Sequence, residues 1–588
     1  MVPGAGPRQM RDSIRFLWPY LRRHWRALAL GFGSLICKDL LGVMVPLALR
    51  RGVDALEAGG GWRIAAGFAG MLLAIAVVKG IFQYWMRRIL IGVSRDVEYD
   101  LRNDIYRHLS MLSRDFYGRF PVGDIMARST NDLGAVRMMA GPGLMYWTET
   151  TLTMVLAAIV MFTVDAPLTL AALAPAPVLS LLVIFYGQRI HSRFEQIQAV
   201  FSGISSRVQE SISGMRVLRA YRQSDAELAA FEKLNKDYID RNLELVRTTG
   251  IFEPLLHAMI GVAFLIVLWV GGWRLLSGSI SLGSFVMFQT YMGMLIWPMI
   301  AMGWVINLMQ RGTASLERIR EMLAVPPSIA APTDALRPDA LRGEIAFRGV
   351  RLGYAAGEAL RGIDLTILAG ETVALAGHTG SGKTSLVNLV PRLLDPTEGT
   401  VLVDGEDVRR YDPEALRRRI AVVPQETFLF SMTLGENIAL GSPNASPEAI
   451  LRAAVIAGLE PDLAGMPDGL ATVVGERGIT LSGGQKQRTA IARAILRDPS
   501  ILILDDALAS VDTVTEEGIL RELTRVMRGR TTLLVSHRVS TIRHADRIVV
   551  LERGAIAEQG THAELLAHGG LYAELVRQQQ LEEELERL

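Results

Sequence analysis

The sequence predicts a multidomain chain: an all-α membrane region of six spans, followed by an α/β domain built around a phosphate loop. Three observations carry this. Half of the 588 residues are hydrophobic (50%, against 21% charged), and they crowd into the first half. Pro326, Pro327, Pro332 and Pro338 then break the chain, and short apolar strands alternate with turns and helices beyond them. Between one such strand and a helix start lies GHTGSGKT, Gly377 to Thr384, the G-x-x-x-x-G-K-[ST] pattern. The expected boundaries are 1–325 for the membrane domain, 326–341 for the linker and 342–588 for the nucleotide-binding domain.

The spans are expected at about 27–49, 64–85, 144–164, 166–186, 252–273 and 285–306, each near the 20 residues a helix needs to cross hydrocarbon. The basic start (Arg8, Arg11, Arg15, Arg22, Arg23, Arg26) precedes an apolar run too long for a signal peptide, so it reads as a retained membrane helix. Arg87, Arg88, Arg95, Arg189 and Arg193 flank spans on the same side as that arm. Positive-inside bias therefore places the N-terminus in the cytoplasm of a multi-pass inner-membrane protein. The two loops on that side, 87–143 and 188–251, mix apolar with charged residues as amphipathic continuations of the spans do. Lys38, Asp39, Lys79 and Glu149 are costly in lipid and are expected to face a cavity, another helix or an interface. Adjacent Lys38 and Asp39 point about 100° apart on a helix, which argues against a simple pair between them. Cys37, the one cysteine, rules out an internal disulfide and is expected to be a small buried hydrophobe. With 62 basic and 60 acidic residues, no electrostatic case exists for nucleic acid as a partner.

The strand candidates of the second half are EIAFRGV, IDLTIL, ETVALAG, TVLVDG, IAVVPQ, ILILDD, TTLLVSH and DRIVVLERG. Gly377, His378, Thr379, Gly380, Ser381, Gly382, Lys383, Thr384 and Ser385 form the loop and helix start that cradle a triphosphate. Lys383 reaches the β/γ-phosphates and Thr384 holds Mg²⁺. Asp505 ends an apolar strand and is placed to organise the same metal; Asp506 follows it, placed to orient attacking water. His537 ends TTLLVSH and is placed to contact the γ-phosphate or the water. ATP and Mg²⁺ are thus the expected substrate and cofactor.

LSGGQ, Leu481 to Gln485, adds a stretch the loop alone does not predict. With the loop, the strand-end acids and six spans, it resembles the ABC transporter superfamily, specifically a half-size exporter of the type I kind, over almost the whole chain. The resemblance implies that Tyr354 stacks on adenine and that Gln425 senses Mg²⁺ and the membrane domain as a catalytic and metal-site residue. It implies that Leu481, Ser482, Gly483, Gly484 and Gln485 cap ATP held by an opposite subunit, and that Ser510, Val511 and Asp512 form the D-loop. Gly475, Glu476 and Gly478 resemble a segment that contacts the partner's cytoplasmic loops. Coupling segments are expected near Gly123–Asp132 and Ala220–Glu227.

One departure stands out: the family's usual Asp-Glu pair is Asp505-Asp506 here. A side chain one methylene shorter holds its carboxylate about 1.5 Å farther back, and misplacement on that scale costs of order 100-fold in an alignment-dependent step. This suggests a weakly hydrolytic site in one half of a heterodimer, opposite a non-identical half-transporter that supplies a catalytic Glu. The expected function is export of amphiphilic drugs, lipids or peptides. The alternatives are a homodimeric lipid flippase or multidrug exporter, and an ATP-gated regulatory membrane protein.

Overall fold

The computed structural model describes residues 7–59, 61–354, 357–475, 478, 480–509 and 513–586. The chain divides into two compact units, Met1–Ser110 with Pro121–Val325, and Met111–Phe120 with Pro326–Leu588.

The first unit is all helix. Its main elements are α1 (Pro7–Arg23), α2 (Trp25–Glu57), α3 (Trp62–Met111), α4 (Leu144–Val164), α5 (Ala166–Leu173), α6 (Ala176–Ser213), α7 (Ser224–Leu276) and α8 (Leu282–Leu323). Short helices and two π-turns, Arg128–Asp132 and Met139–Gly143, lead into α4. Among the described residues six helical stretches are long and apolar enough to cross a membrane, and all six expected spans fall on them. The spans are pieces of far longer helices: α3 has 50 residues and α7 has 53, about 75–80 Å at 1.5 Å per residue. Between the third and fourth spans Asp165 caps α5, its carboxylate accepting from Leu168 N–H at 2.8 Å while pairing with Arg274 at 2.6 Å. The fourth span is itself divided by a turn at Ala174 and Pro175, which the apolar run had concealed.

The packing centre of this unit is α8, which buries Met287, Phe288, Tyr291, Leu295, Val305 and Leu316. Tyr291 donates to the Val43 carbonyl at 2.6 Å, tying α8 to α2 without leaving a buried hydroxyl unpaired. At Gly312 an added Cβ would stand 2.3 Å from Met139 Cβ, so only glycine permits this approach.

Three expectations are corrected here. Cys37 is exposed rather than buried, because α2 turns its neighbours Lys38 and Asp39 inward instead. Those two do form an ion pair, Lys38 Nζ to Asp39 Oδ1 at 2.8 Å. The 100° between their Cβ directions is overcome by four flexible methylenes, which fold the amine back around the helix. The short helix at the second cytoplasmic tip is Met215–Ala220, whereas Ala220–Glu227 covers the turn after it and the start of α7.

The second unit carries two sheets. One has the order β2-β1-β4-β5: β1 (Ile345–Tyr354), β2 (Gly357–Ile367), β4 (Glu398–Val403) and β5 (Glu406–Asp407), all antiparallel. The other runs β10-β9-β3-β8-β7-β6 and joins β3 (Thr372–Ala376), β6 (Ile420–Val423), β7 (Ile501–Asp505), β8 (Thr531–Val535), β9 (Arg547–Glu552) and β10 (Ala555–Gly560). Its four pairings from β9 to β6 are all parallel, and only β10 pairs antiparallel, with β9. Period-two alternation splits the core. Ile501 and Ile503 face the antiparallel sheet with Phe347, Val373 and Leu375, while Leu502 and Leu504 face the helical side with Ile491 and Leu523. Strands buried on both faces read as continuous apolar runs. Each fully buried Ile, Leu or Phe contributes about 1.5–3 kcal/mol to holding the layers together.

Candidate functional site

The parallel register brings four strand ends to one edge. Asp505 lies opposite Val535, and Leu375 opposite Val535 on the other side, so the carboxyl ends of β3, β7 and β8 are adjacent. Gln425 follows β6, the next strand over. Ligands in such sheets bind outside the carboxyl ends of the strands. A cleft of about 190 Å³ opens there, lined by Thr379, Gly380, Ser381, Gly382, Lys383, Thr384, Ser385, Gln425, Asp505, Asp506 and His537. An adjoining recess is lined by Gly377, His378 and the other side of His537.

The loop after β3 is shaped by backbone only glycine can supply. Gly377 has φ +136°, and a Cβ there would meet the Leu551 carbonyl at 2.2 Å; Gly382 has φ +102° and faces the Ala359 carbonyl at 2.7 Å. The next helix, α9 (Lys383–Leu389), opens with the lysine. Lys383 is 5% exposed, and its Nζ donates to the carbonyls of Gly377 (2.7 Å) and His378 (2.9 Å) and reaches Ser381 Oγ at 3.4 Å. Burial lowers its pKa, against the pull of Asp506 and Asp505. Among the described residues no carboxylate stands within ion-pair distance of it, so its charge is held by dipoles alone.

Thr384 Oγ1 donates to Asp505 Oδ1 at 3.2 Å. Burial raises the pKa of Asp505, partly offset by that hydrogen bond. Burial, with Lys383 next in importance, lowers the pKa of His537, which keeps its ring neutral below the ordinary value of 6.5. Asp506 takes a left-handed backbone, φ +50°, anchored by its N–H on the Val535 carbonyl at 2.8 Å. Tyr354 is 43% exposed at the rim, with its hydroxyl 3.2 Å from Ser385 Oγ.

Leu481 to Gln485 do not line this cleft. Ser482 caps α10 (Gly483–Leu496) in a reciprocal capping box: its Oγ accepts from Gln485 N–H, and Gln485 Oε1 accepts from Ser482 N–H at 2.9 Å. Gln485 also donates to Asp462 at 2.9 Å, a structural role the motif did not disclose. Ser510, Val511, Asp512 and Glu476 lie outside the described residues. Gly475 and Gly478 are linked by a backbone hydrogen bond of 2.8 Å.

One pair was missed from sequence. Glu516, 2% exposed, pairs with Arg538 and accepts from Thr541 Oγ1 at 2.7 Å, while Arg538 also donates to the Ala509 carbonyl at 3.2 Å. Arg538 directly follows His537 and Ala509 follows the Asp505-Asp506 strand end, so this pair joins two edges of the cleft. The signal available was an arginine next to the strand-end histidine.

A phosphate-loop cleft in one unit and six membrane-length helices in the other define an ATP-driven membrane protein, and the comparisons say of which family. The family of the ABC transporter transmembrane region matches residues 28–299, and the family described as ABC transporter matches 360–509. The chain is 37% identical over 580 residues to a probable multidrug resistance ABC transporter ATP-binding/permease protein, YheI, of Bacillus subtilis, covering 97% of this chain and 98% of that one. It is 36% identical to the multidrug resistance-like ATP-binding protein MdlA of Escherichia coli, covering 98% of each. It is 35% identical over 504 residues to an ATP-dependent lipid A-core flippase of Syntrophus aciditrophicus, covering 86% of this chain and 84% of that one. A solved bacterial Atm1-family ABC exporter with ATP bound superimposes with a TM-score of 0.77 at 26% identity, covering 96% and 98% of the two chains. The chain belongs to the ABC transporter family. It is a half-transporter with a type I exporter fold and an ATP-hydrolysing domain, and a multi-pass protein of the cytoplasmic membrane with that domain in the cytoplasm.

The comparison overturns the expected non-identical partner with a catalytic Glu. MdlA and the Atm1-family exporter match this chain end to end, and they point to a like subunit opposite it. Asp506 by itself does not dictate a different partner, since a carboxylate still stands at the strand end and lines the cleft.

Proposed function

We propose that two copies of this chain form an exporter that uses ATP to move lipophilic drugs or lipids out of the cytoplasmic leaflet. The observation that carries the reading is the joint placement of Lys383, Thr384, Asp505, Asp506, Gln425 and His537 around one cleft, in a chain with six membrane-length helices. The names of relatives at 35–37% identity favour drugs and lipids as cargo.

In this reading Lys383 and the loop N–H groups bind the triphosphate, and Tyr354 at the rim stacks on the base. Asp506 orients water, and neutral His537 accepts a hydrogen bond or contacts the terminal phosphate. Mg²⁺ fits the residues present: Asp505 is buried without an ion-pair partner among the described residues, and the Thr384 hydroxyl and the Gln425 side chain supply further oxygens. The metal supplies charge neutralisation on the phosphate oxygens. Ser482 to Gln485, which do not line their own chain's cleft, reach the cleft of the second copy. Closure of the two copies on ATP changes access to the membrane cavity only through the higher affinity of the closed state for ATP. The shorter Asp506 makes each turnover slow but not absent.

The test is purified chain, expressed without any neighbour, in inside-out proteoliposomes. ATP-dependent accumulation of a lipophilic dye or a labelled lipid is expected, with Asp506→Asn removing about 100-fold of the ATPase rate. An ATP-gated ion current without accumulation shows a channel instead. A chain inactive until a second gene product is added removes the two-copy reading.

A further inference from the structure

The membrane unit buries a charge cluster that the ATP chemistry does not use. Lys38, near the middle of α2, is 4% exposed and donates to Glu149 Oε1 of α4 at 2.5 Å while pairing with Asp39 Oδ1 at 2.8 Å. One amine thus meets two carboxylates, and the three groups sum to −1. Asp39 is 2% exposed, yet among the described residues its second oxygen, Oδ2, lacks a well-formed hydrogen bond, the Thr153 hydroxyl being a group that approaches its carboxylate. A purely structural pair in hydrocarbon would be expected to balance its charge and satisfy its oxygens. A further cation, Lys79, faces α2 a turn away at Gly42, where an added Cβ would sit 3.6 Å from its amine. Among the ion pairs of the described residues, both carboxylates are held by Lys38 and neither by Lys79.

The Glu149 side chain is 24% exposed, so the excess charge is reachable. Three residues earlier on the same face of α4 stands Tyr146, its ring edge-on to Trp304 of α8 with centroids 5.4 Å apart. Trp304 is 45% exposed. An accessible carboxylate beside two aromatic rings is a receptor for a greasy cation: the rings solvate its apolar body and their faces favour its charge. We propose that Glu149, backed by the Lys38–Asp39 pair and flanked by Tyr146 and Trp304, binds the charged centre of lipophilic monocations. This rests on the export reading above and narrows its substrate class.

The experiment measures equilibrium binding of tetraphenylphosphonium and tetraphenylborate, ions of like shape and opposite charge, to nucleotide-free full chain in nanodiscs, with empty nanodiscs subtracted. Glu149→Gln should weaken tetraphenylphosphonium about tenfold and leave tetraphenylborate unchanged or tighter. The double variant Lys38→Met/Asp39→Asn keeps the net −1 on Glu149 and should retain tetraphenylphosphonium binding within about threefold. Trp304→Ala, on a different helix, should weaken the cation about fivefold and serves if Glu149→Gln does not fold. Equal losses for both ions, no loss in Glu149→Gln or, should that variant not fold, in Trp304→Ala, or a loss in the double variant matching that in Glu149→Gln would each overturn the proposal. Export of neutral lipophiles without Glu149-dependent cation binding sinks the cation site alone. Glu149-dependent binding with no export of any lipophile keeps the site and sinks the export reading.

Discussion

The molecule buries two lysines equally well and surrounds them in opposite ways. Lys38 and Lys383 are 4% and 5% exposed. Lys383 is held by two carbonyls and a hydroxyl, with Asp505 and Asp506 kept outside ion-pair range. Its positive charge is positioned but not cancelled, which suits a polyanion. Lys38 is met by two carboxylates at 2.5 and 2.8 Å, and its charge is more than cancelled. The lesson is that burial alone says little about a charge. What the neighbours leave over decides which ion the place will attract.

The contrast can be broken most directly by removing each amine. Lys383→Met should lower ATPase activity by about 100-fold or more, since a fixed cation at the phosphates is lost. Its melting temperature should hold or rise, because a buried cation paired only with dipoles is costly to keep. A variant with near-normal turnover would show that the loop N–H groups suffice.

Lys38→Met should do the reverse, destabilising the membrane unit by about 3 kcal/mol, the scale for stranding a buried counter-charge. Asp39→Asn added to it should restore most of the loss. Thermal unfolding of Lys38→Met, Asp39→Asn and the double variant in the same nanodiscs checks this, and an additive double variant would contradict the pairing.

A finer probe uses His537, whose pKa is lowered by burial first and by Lys383 second. Lys383→Met should raise the His537 pKa part of the way toward 6.5, leaving the burial contribution. In wild type the ring stays neutral as pH falls through 6.5, while an unfolded chain takes up the proton. The stability from this residue is therefore present above about 6.5 and lost as pH falls toward the lower folded value. Histidine NMR on the nucleotide-free chain, assigned with His537→Gln, reads the shift. The smallest effect belongs to Thr384→Val: loss of the 3.2 Å bond to Asp505 should cost about 1 kcal/mol of stability without nucleotide, read by melting temperature.

The buried strands were legible because parallel strands covered on both faces are apolar throughout, as in ILILD. The outer strands β5 (Glu406–Asp407) and β10 (Ala555–Gly560) were not, since solvated edge residues carry no such pattern. The loop, Thr384, Asp505 and His537 were legible because each sits at a strand end or helix start. The Glu516–Arg538 pair was hidden because its partners are 22 positions apart and meet only through tertiary packing. Helical-wheel angles misjudged Lys38 and Asp39, since they describe where a side chain leaves the backbone and not how far a long one reaches. Asp506 misled on the partner for a related reason: one residue type reports on its own cleft, not on who stands opposite.

The long cytoplasmic reach of α6 and α7 has a mechanical consequence. From Ser224 to Ile251 α7 extends about 40 Å past its apolar span. It is stapled to α6 along that length: Tyr186 stacks on Phe252 at 5.4 Å, Arg193 pairs with Glu244, and Arg207 grips Glu227 with two hydrogen bonds of 2.6 and 2.5 Å. Two rods cross-braced in this way behave as one stiff lever arm, with Pro254 near its root as the natural fulcrum. A tilt of about 5° at that root sweeps the tip through roughly 3.5 Å over a 40 Å arm. Gearing of this kind converts a hydrogen-bond-sized displacement at the far end into a slight rotation within the bilayer, with no helix needing to unwind.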